Sequence, residues 1–186
     1  MRVIGGRWRG REIRAPRATP TRPTSARLRE ALFSAIAPWL PGAHVLDLFA
    51  GSGALGIEAL SRGAAHVEFT DLEPAALRAI GETLEALDAD PSTWRIRRGD
   101  AWRRIARLER DVPEGAIVLL DPPYALDVLD RCLPEGAGAL ESGRIVAFAV
   151  EHEAGAPEPG PQPAGVEARR RRHGHGAFTL LTRSDT

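Results

Sequence analysis

Five short apolar runs recur through the middle of the chain: HVLDLF (44–49), HVEFTD (66–71), WRIRRG (94–99), AIVLLD (116–121) and RIVAFAVE (144–151). Several are nearly continuous Val, Ile, Leu and Phe, the pattern of strands buried on both faces of a parallel sheet. The segments between them change period. In 74–87, Pro74 suits a first helical turn, and Leu77, Ile80, Leu84 and Leu87 fall on one helical face. Further helices are predicted near 54–62, 101–109 and 125–132. Strands alternating with helices imply right-handed βαβ crossovers and an open, doubly wound α/β sheet.

The two ends break this rhythm. RVIGGRWRGREI predicts two short strands around Gly/Arg-rich turns, and APRATPTRPT follows. A helix then starts near Ser25, with Leu28, Leu32 and Ile36 on one face, and Pro38 ends it. At the other end, VEARRRRHGHGAFTLLTR predicts two antiparallel strands joined near Gly174 to Gly176. Ahead of them lies a loop from Ala154 to Gly165, twelve residues with four Pro and three Gly. The expected organisation is an N-terminal basic hairpin and helix over 1–40 and a single sheet domain over 41–186.

Charge adds what periodicity does not show. The formal net charge is zero, yet residues 1–30 carry nine Arg against two Glu, 31–168 eleven Arg against twenty-two acids, and 169–186 five Arg against one Asp. Basic ends on an acidic middle suggest that the termini meet a polyanion. The candidates are Arg2, Arg7, Arg9, Arg11, Arg14 and Arg17, with Trp8 able to stack or pack among them; a solvated basic hairpin is the plain alternative. The run Arg169–Arg172 reads as a simple exposed strand edge. One cysteine, Cys132, excludes an internal disulfide framework and is expected to pack rather than react. No apolar signal core or spanning run is present, so a cytoplasmic protein is expected. His173 and His175 have no acidic or cysteine neighbours in sequence to complete a metal site, and no metal is expected.

Chemistry enters with LDLFAGSGALGIEAL (46–60). The predicted strand runs into Gly51, Gly53 and Gly56, which allow a tight turn and a close ligand approach before a helix with unpaired N–H groups. No Gly-Lys-Ser/Thr follows, so this is not a P-loop. Asp47 would repel a pyrophosphate but attract a cationic ligand, which favours S-adenosylmethionine over a dinucleotide. The next strand ends at Asp71, placed to accept ribose hydroxyls; Glu73 either caps the following helix or neighbours the ribose. Asp100, with Ala101 beside it, either holds an adenine amino group or caps a helix.

The fourth strand ends in Asp121-Pro122-Pro123-Tyr124. Ligands of open α/β sheets lie at the carboxyl ends of the strands, so this tetrapeptide should share the crevice of the glycine turn. The Asp121 carboxylate and Pro122 carbonyl are two acceptors, Pro123 stiffens the segment, and Tyr124 offers a stacking face. That suits a planar base carrying an exocyclic amino group.

MRVIGGRWRGREI, RPTSARLREALF, VLDLFAGSGALGIEALSRGA and LLDPPY together resemble the RsmD family, the bacterial 16S ribosomal RNA guanine-N2 methyltransferases. The resemblance implies a Rossmann-like, mostly parallel sheet with an antiparallel C-terminal strand and a small N-terminal hairpin/helix extension. It places S-adenosylmethionine on Asp47, Phe49, Gly51, Gly53, Asp71, Asp100 and Ala101, and the target base on Asp121 to Tyr124. It marks Arg22, Pro23, Thr24, Arg27 and Glu30 as an N-terminal motif near the site, with Arg22 and Arg27 joining the RNA-facing arginines. It also implies a monomer acting on 16S rRNA in a partly or fully assembled small subunit. Ala26, Ser34 and His173-Gly174 depart from the family pattern. Other readings of the same residues are adenine-N6 or DNA methylation, or a non-catalytic RNA-binding assembly factor.

Overall fold

A computed structural model describes residues 1–14, 26–123 and 127–184. In chain order the elements are α1 (Ala26–Ala35), β1 (His44–Leu48), α2 (Ala54–Ser61), β2 (His66–Asp71), α3 (Pro74–Ala86), β3 (Trp94–Arg98), α4 (Ala101–Ile105), α5 (Leu108–Asp111), β4 (Ala116–Leu120), α6 (Val128–Glu141), β5 (Ile145–Glu153), β6 (Val166–His173) and β7 (Gly176–Arg183). They form one seven-stranded sheet ordered β3-β2-β1-β4-β5-β7-β6. β1 to β5 run parallel; β7 inserts antiparallel between β5 and β6. The order reverses at β1/β4, the place where an open α/β sheet leaves its crevice.

Side chains alternate across the sheet into two cores. Val45, Val67, Phe69, Ile117, Leu119, Ala147 and Ala149 face α1, α2 and α3. Leu46, Leu48, Val118, Leu120, Phe148 and Val150 face α4, α5 and α6. The N-terminal segment belongs to the first core, since Val3, Trp8, Ile13, Leu28, Leu32, Phe33 and Ile36 are buried in the same cluster.

Three local expectations change. The two N-terminal strands reduce to a single antiparallel bridge, Arg2 to Glu12. Turns at Gly6 (φ 74°) and Gly10 (φ 81°) instead curl the segment so that Val3, Trp8 and Ile13 point inward. The helix expected over 101–109 breaks into α4 and α5 at Ala106 and Arg107. The helix expected to stop at 132 continues through Pro134 to Glu141. Pro134 lies on the exposed side of α6, where water can satisfy the carbonyl its ring leaves unpaired.

The 154–165 loop is held by Arg170. Its Nη1 donates to the Ala156 and Pro157 carbonyls and its Nη2 to those of Glu153 and Ala154. Its side chain is 7 % exposed, so this arginine is a buried clamp rather than part of a solvated edge. Cys132 is fully buried and its thiol is pushed up to about 12, chiefly by burial. Among the described residues no helix is long and apolar enough to cross a membrane.

Candidate active site at the carboxyl edge of the sheet

The glycine turn lies between β1 and α2. Phe49 adopts φ 60° and Gly51 φ 54°, and Gly53, at φ 73°, is the N-cap of α2 without any side-chain cap bond. A glycine N-cap supplies no side chain of its own to the first amides of α2, and the Gly56 amide in that turn is taken by Asp47 instead. A Cβ at Gly51 would meet nothing nearer than the Phe49 carbonyl at 3.9 Å, so its backbone faces open space. A Cβ at Gly56 would lie 2.3 Å from Phe69 Cε1 and 2.9 Å from Asp47 Oδ2. Gly51 thus borders open space, whereas Gly56 lets α2 pack on the sheet.

Asp47 is 1 % exposed and accepts from Gly56 N–H at 2.8 Å. Burial drives its carboxyl well above the ordinary value; the Gly56 bond opposes that, and the nearby Asp121 and Asp71 charges add to it. By register Asp47 lies level with Phe69 of β2 and Leu119 of β4, so Asp71 and Asp121, two residues further along, follow on the same face and the three acids converge. Asp71 spans the turn: Oδ2 accepts from Gly51 N–H at 2.8 Å and Oδ1 from Glu73 N–H at 2.9 Å. Glu73 is the N-cap of α3 but makes no side-chain cap bond. Leu72, between them, is 57 % exposed.

Asp100 caps α4, accepting from Trp102 N–H at 2.9 Å, and its other oxygen is 3.8 Å from Arg103 Nε. Ala101 behind it is buried. Trp102 meets Phe49 edge-on with centroids 5.1 Å apart, and Arg131 of α6 lies 3.7 Å over the Trp102 ring. An aromatic pair with a cation above it thus bridges the glycine turn and the helix that follows Asp121.

The Asp121 N–H extends the ladder to the Leu48 carbonyl at 3.4 Å. Pro122 is buried and Pro123 exposed. Tyr124 lies outside the described residues, as do Arg17, Arg22, Pro23 and Thr24.

The basic N-terminus is pinned from beneath. Glu58 of α2, fully buried, accepts from Ile4 and Gly5 N–H at 2.8 and 2.7 Å, and pairs with Arg62 at 2.7 Å. Arg29, also fully buried, donates to the Arg2 carbonyl and sits 3.7 Å from Glu58. Burial pushes the Arg29 guanidinium down from its ordinary value, against the pull of Glu58 and Glu151. Trp8 is 7 % exposed, so it packs rather than standing free to stack, with Arg7 4.1 Å over its ring. Arg2, Arg7, Arg9, Arg11, Arg14 and Arg27 are exposed. Arg2 donates to the Gly10 carbonyl, Arg11 to that of Ala86, and Arg14 pairs with Glu82 at 3.2 Å.

Residues 1–182 match the family model described as Conserved hypothetical protein 95. The Ribosomal RNA small subunit methyltransferase D of Escherichia coli (strain K12) is 37 % identical over 84 % of this chain and 78 % of its own length. The chain belongs to the RsmD family. The protein of the same name from Haemophilus influenzae is 31 % identical over 72 % of this chain and 68 % of its own length. Among solved structures, Escherichia coli yhhF superposes with a TM-score of 0.77 at 34 % identity, covering 98 % of this chain and 97 % of that one.

Within this RsmD-family chain, the residues that sequence reasoning missed share one feature: each departs from its element's own pattern. Leu72 is an apolar residue in a polar turn, Glu58 an acid in an otherwise apolar helix, and Trp102 a large aromatic directly after a helix cap. Periodicity treats such positions as noise.

Proposed function

We propose that the chain transfers a methyl group from S-adenosylmethionine to the exocyclic N2 of a guanine in small-subunit ribosomal RNA, acting as a cytoplasmic monomer on a partly or fully assembled subunit. The observation that supports the reading is the register that brings Asp47, Asp71 and Asp121 to one face at the reversal point of the sheet, beside the open backbone of Gly51. The Escherichia coli and Haemophilus influenzae relatives, both named as ribosomal RNA small subunit methyltransferases D, supply the RNA.

The residues present fit the cofactor. Gly51 leaves room for close approach, Asp71 stands at the β2 end where ribose hydroxyls are held, and exposed Leu72 offers an apolar surface to a base. Asp47 supplies negative potential beneath a cationic group, and Asp100 with Ala101 closes the adenine end. S-adenosylmethionine supplies an activated methyl on a sulfonium, so the chain's task is positioning and electrostatics.

Asp121 and the Pro122 carbonyl accept the two hydrogens of the amino group. That draws the nitrogen lone pair out of ring conjugation and aims it at the methyl carbon. Tyr124 stacks on the extruded base, a contact worth about 1–3 kcal/mol. No strong base is required, because the nitrogen grows acidic as it is alkylated and releases one proton to the Asp121 carboxylate that already accepts it, and from there to water. The exposed arginines Arg2, Arg7, Arg9, Arg11, Arg14 and Arg27 track phosphates, joined by Arg17 and Arg22.

Asp121→Ala tests the assignment. Calorimetry should show cofactor binding within about threefold of the wild type, while methyl transfer to small subunits falls at least about 100-fold. Full turnover by that variant would sink the role of Asp121 as acceptor for the amino group.

A further inference from the structure

The four arginines of β6 do not share one environment. Arg170 clamps the 154–165 loop, Arg172 pairs with Glu158, and Arg169 pairs with Glu167 at 2.8 Å. Arg171 is exposed, and among the described residues its guanidinium has neither a hydrogen bond nor an ion pair. Register decides where it stands. Leu120 of β4 lies level with Val150 of β5, Val150 with Thr179 of β7, and Thr179 with Arg170 of β6. β4 and β6 run in the same direction, so Asp121 and Arg171 are each the next residue toward the carboxyl edge. Three strand spacings separate them, about 14 Å.

They also share a face. Arg171 stands opposite Phe178 and Arg169 opposite Leu180, both in the first core, as are Leu119 and Ile117, two and four residues before Asp121. Residues directly opposite in a ladder project to the same side. His173, two residues beyond Arg171, pairs with Gly176 at the rim.

α1 packs on this face against β6 and β7, and a Cβ on Gly176 would lie 3.1 Å from Leu28 Cδ2, which sets the first turn of α1 at the same rim. Arg29 and Phe33 of α1 turn the other way, toward Glu58 and Arg62. At 3.6 residues per turn, exposed Ala31 and Arg27 stand about 60° and 100° round from Leu28, and Glu30 about 160°. The side of α1 beside the β6 edge therefore offers a small residue and a cation. Arg27, like Arg171, has no ion pair among the described residues. The N-terminal arginines lie elsewhere, because the Arg7 and Trp8 amides bond to Ser61 in the last turn of α2, which has returned to the amino edge.

We propose that Arg171, bordered by His173 and Arg27, is a second phosphate-binding surface for RNA, placed at the edge where the crevice opens. This rests on the reading of the chain as a ribosomal RNA methyltransferase and adds to it the surface that holds the strand beside the extruded base. A nucleotide flipped into the crevice leaves its neighbouring phosphates at the mouth, within reach of cations on the same face. The plain alternative is that Arg171 only guards an edge strand against pairing with another copy.

The test compares Arg171→Gln with Arg172→Gln in the full chain: neighbours on one edge strand, on opposite faces. Binding of small-subunit ribosomal RNA is measured across about 50–200 mM salt. Arg171→Gln should shrink the slope of log affinity against log salt by about 0.7–0.9, while Arg172→Gln leaves it unchanged, both at a melting temperature within about 2 °C of wild type. Arg171→Lys should restore the slope, since a phosphate contact of this kind needs only the point charge.

An unchanged slope in Arg171→Gln overturns the proposal, and self-association of that variant at unchanged RNA affinity shows the edge guard instead. Equal losses in both variants overturn the assignment to one face. Loss of binding to assembled subunits but not to naked RNA would mean an acidic protein partner, which also overturns it. Failure of the wild type to bind the RNA overturns the underlying reading. Should Arg171→Gln not fold, Arg171→Thr, a good strand former, carries the same comparison.

Discussion

Asp47 shows most clearly what a single residue here has to reconcile. Its place at the end of a buried strand is legible in the sequence, which also prompts the proposal that it faces a cationic ligand. Its protonation is not, because that depends on α2 closing over it and on two further acids arriving from β2 and β4. With its carboxyl raised well above the ordinary value, the folded state holds this proton more tightly than the unfolded chain does. Asp47's contribution to stability therefore declines as pH rises from the unfolded value through the raised folded value. A cation bound above it favours the ionised form. Affinity for S-adenosylmethionine should rise with pH across the same window, with release of a proton that calorimetry in buffers of different ionisation enthalpy detects. Asp47→Asn keeps an oxygen for Gly56 N–H and should abolish both the slope and the proton release. Persistence of either would place the titration elsewhere.

Among the elements, α2 and α3 ask opposite things of glycine. Gly56 of α2 faces the sheet, where a Cβ would lie 2.3 Å from Phe69 and 2.8 Å from Val67. Gly81 of α3 would place its Cβ 3.6 Å from Ile96, ordinary contact. Gly56→Ala should force α2 off β1 and β2, costing about 1–3 kcal/mol. It should also weaken cofactor binding, since α2 carries the glycine turn. Gly81→Ala should stabilise by about 0.5–1 kcal/mol through backbone entropy alone. Denaturant midpoints for the two variants, moving in opposite directions, check both. The βα alternation itself was legible because strand and helix differ in period. The break between α4 and α5 was not, because Ile105 and Leu108 keep a helical i, i+3 spacing while the backbone between them turns. The length of α6 was hidden by Pro134, a usual stop signal tolerated where the helix faces water.

At the scale of the whole molecule, the basic N-terminus both displays the exposed arginines proposed to meet RNA and forms part of the core. The sequence displays the arginines but not the inward turn of Val3, Trp8 and Ile13, nor the Glu58 and Arg29 partners that fix the segment, since those contacts span up to 54 residues of chain. Removing residues 1–14 to test RNA binding would strip three buried side chains from the first core, each worth about 1.5–3 kcal/mol. Lost binding in such a truncation would report unfolding as readily as missing charge. Neutralising charge on the exposed face separates the two. Arg9→Gln with Arg27→Gln touches no buried group and should leave the melting temperature within about 2 °C of wild type. If each arginine meets a phosphate, the slope of log affinity against log salt for ribosomal RNA should shrink by about 0.7–0.9 per residue removed, and binding should weaken evenly across RNA sequences. An unchanged slope in the folded double variant would remove these two arginines from the interface and leave the polyanion surface to the rest of the N-terminal set.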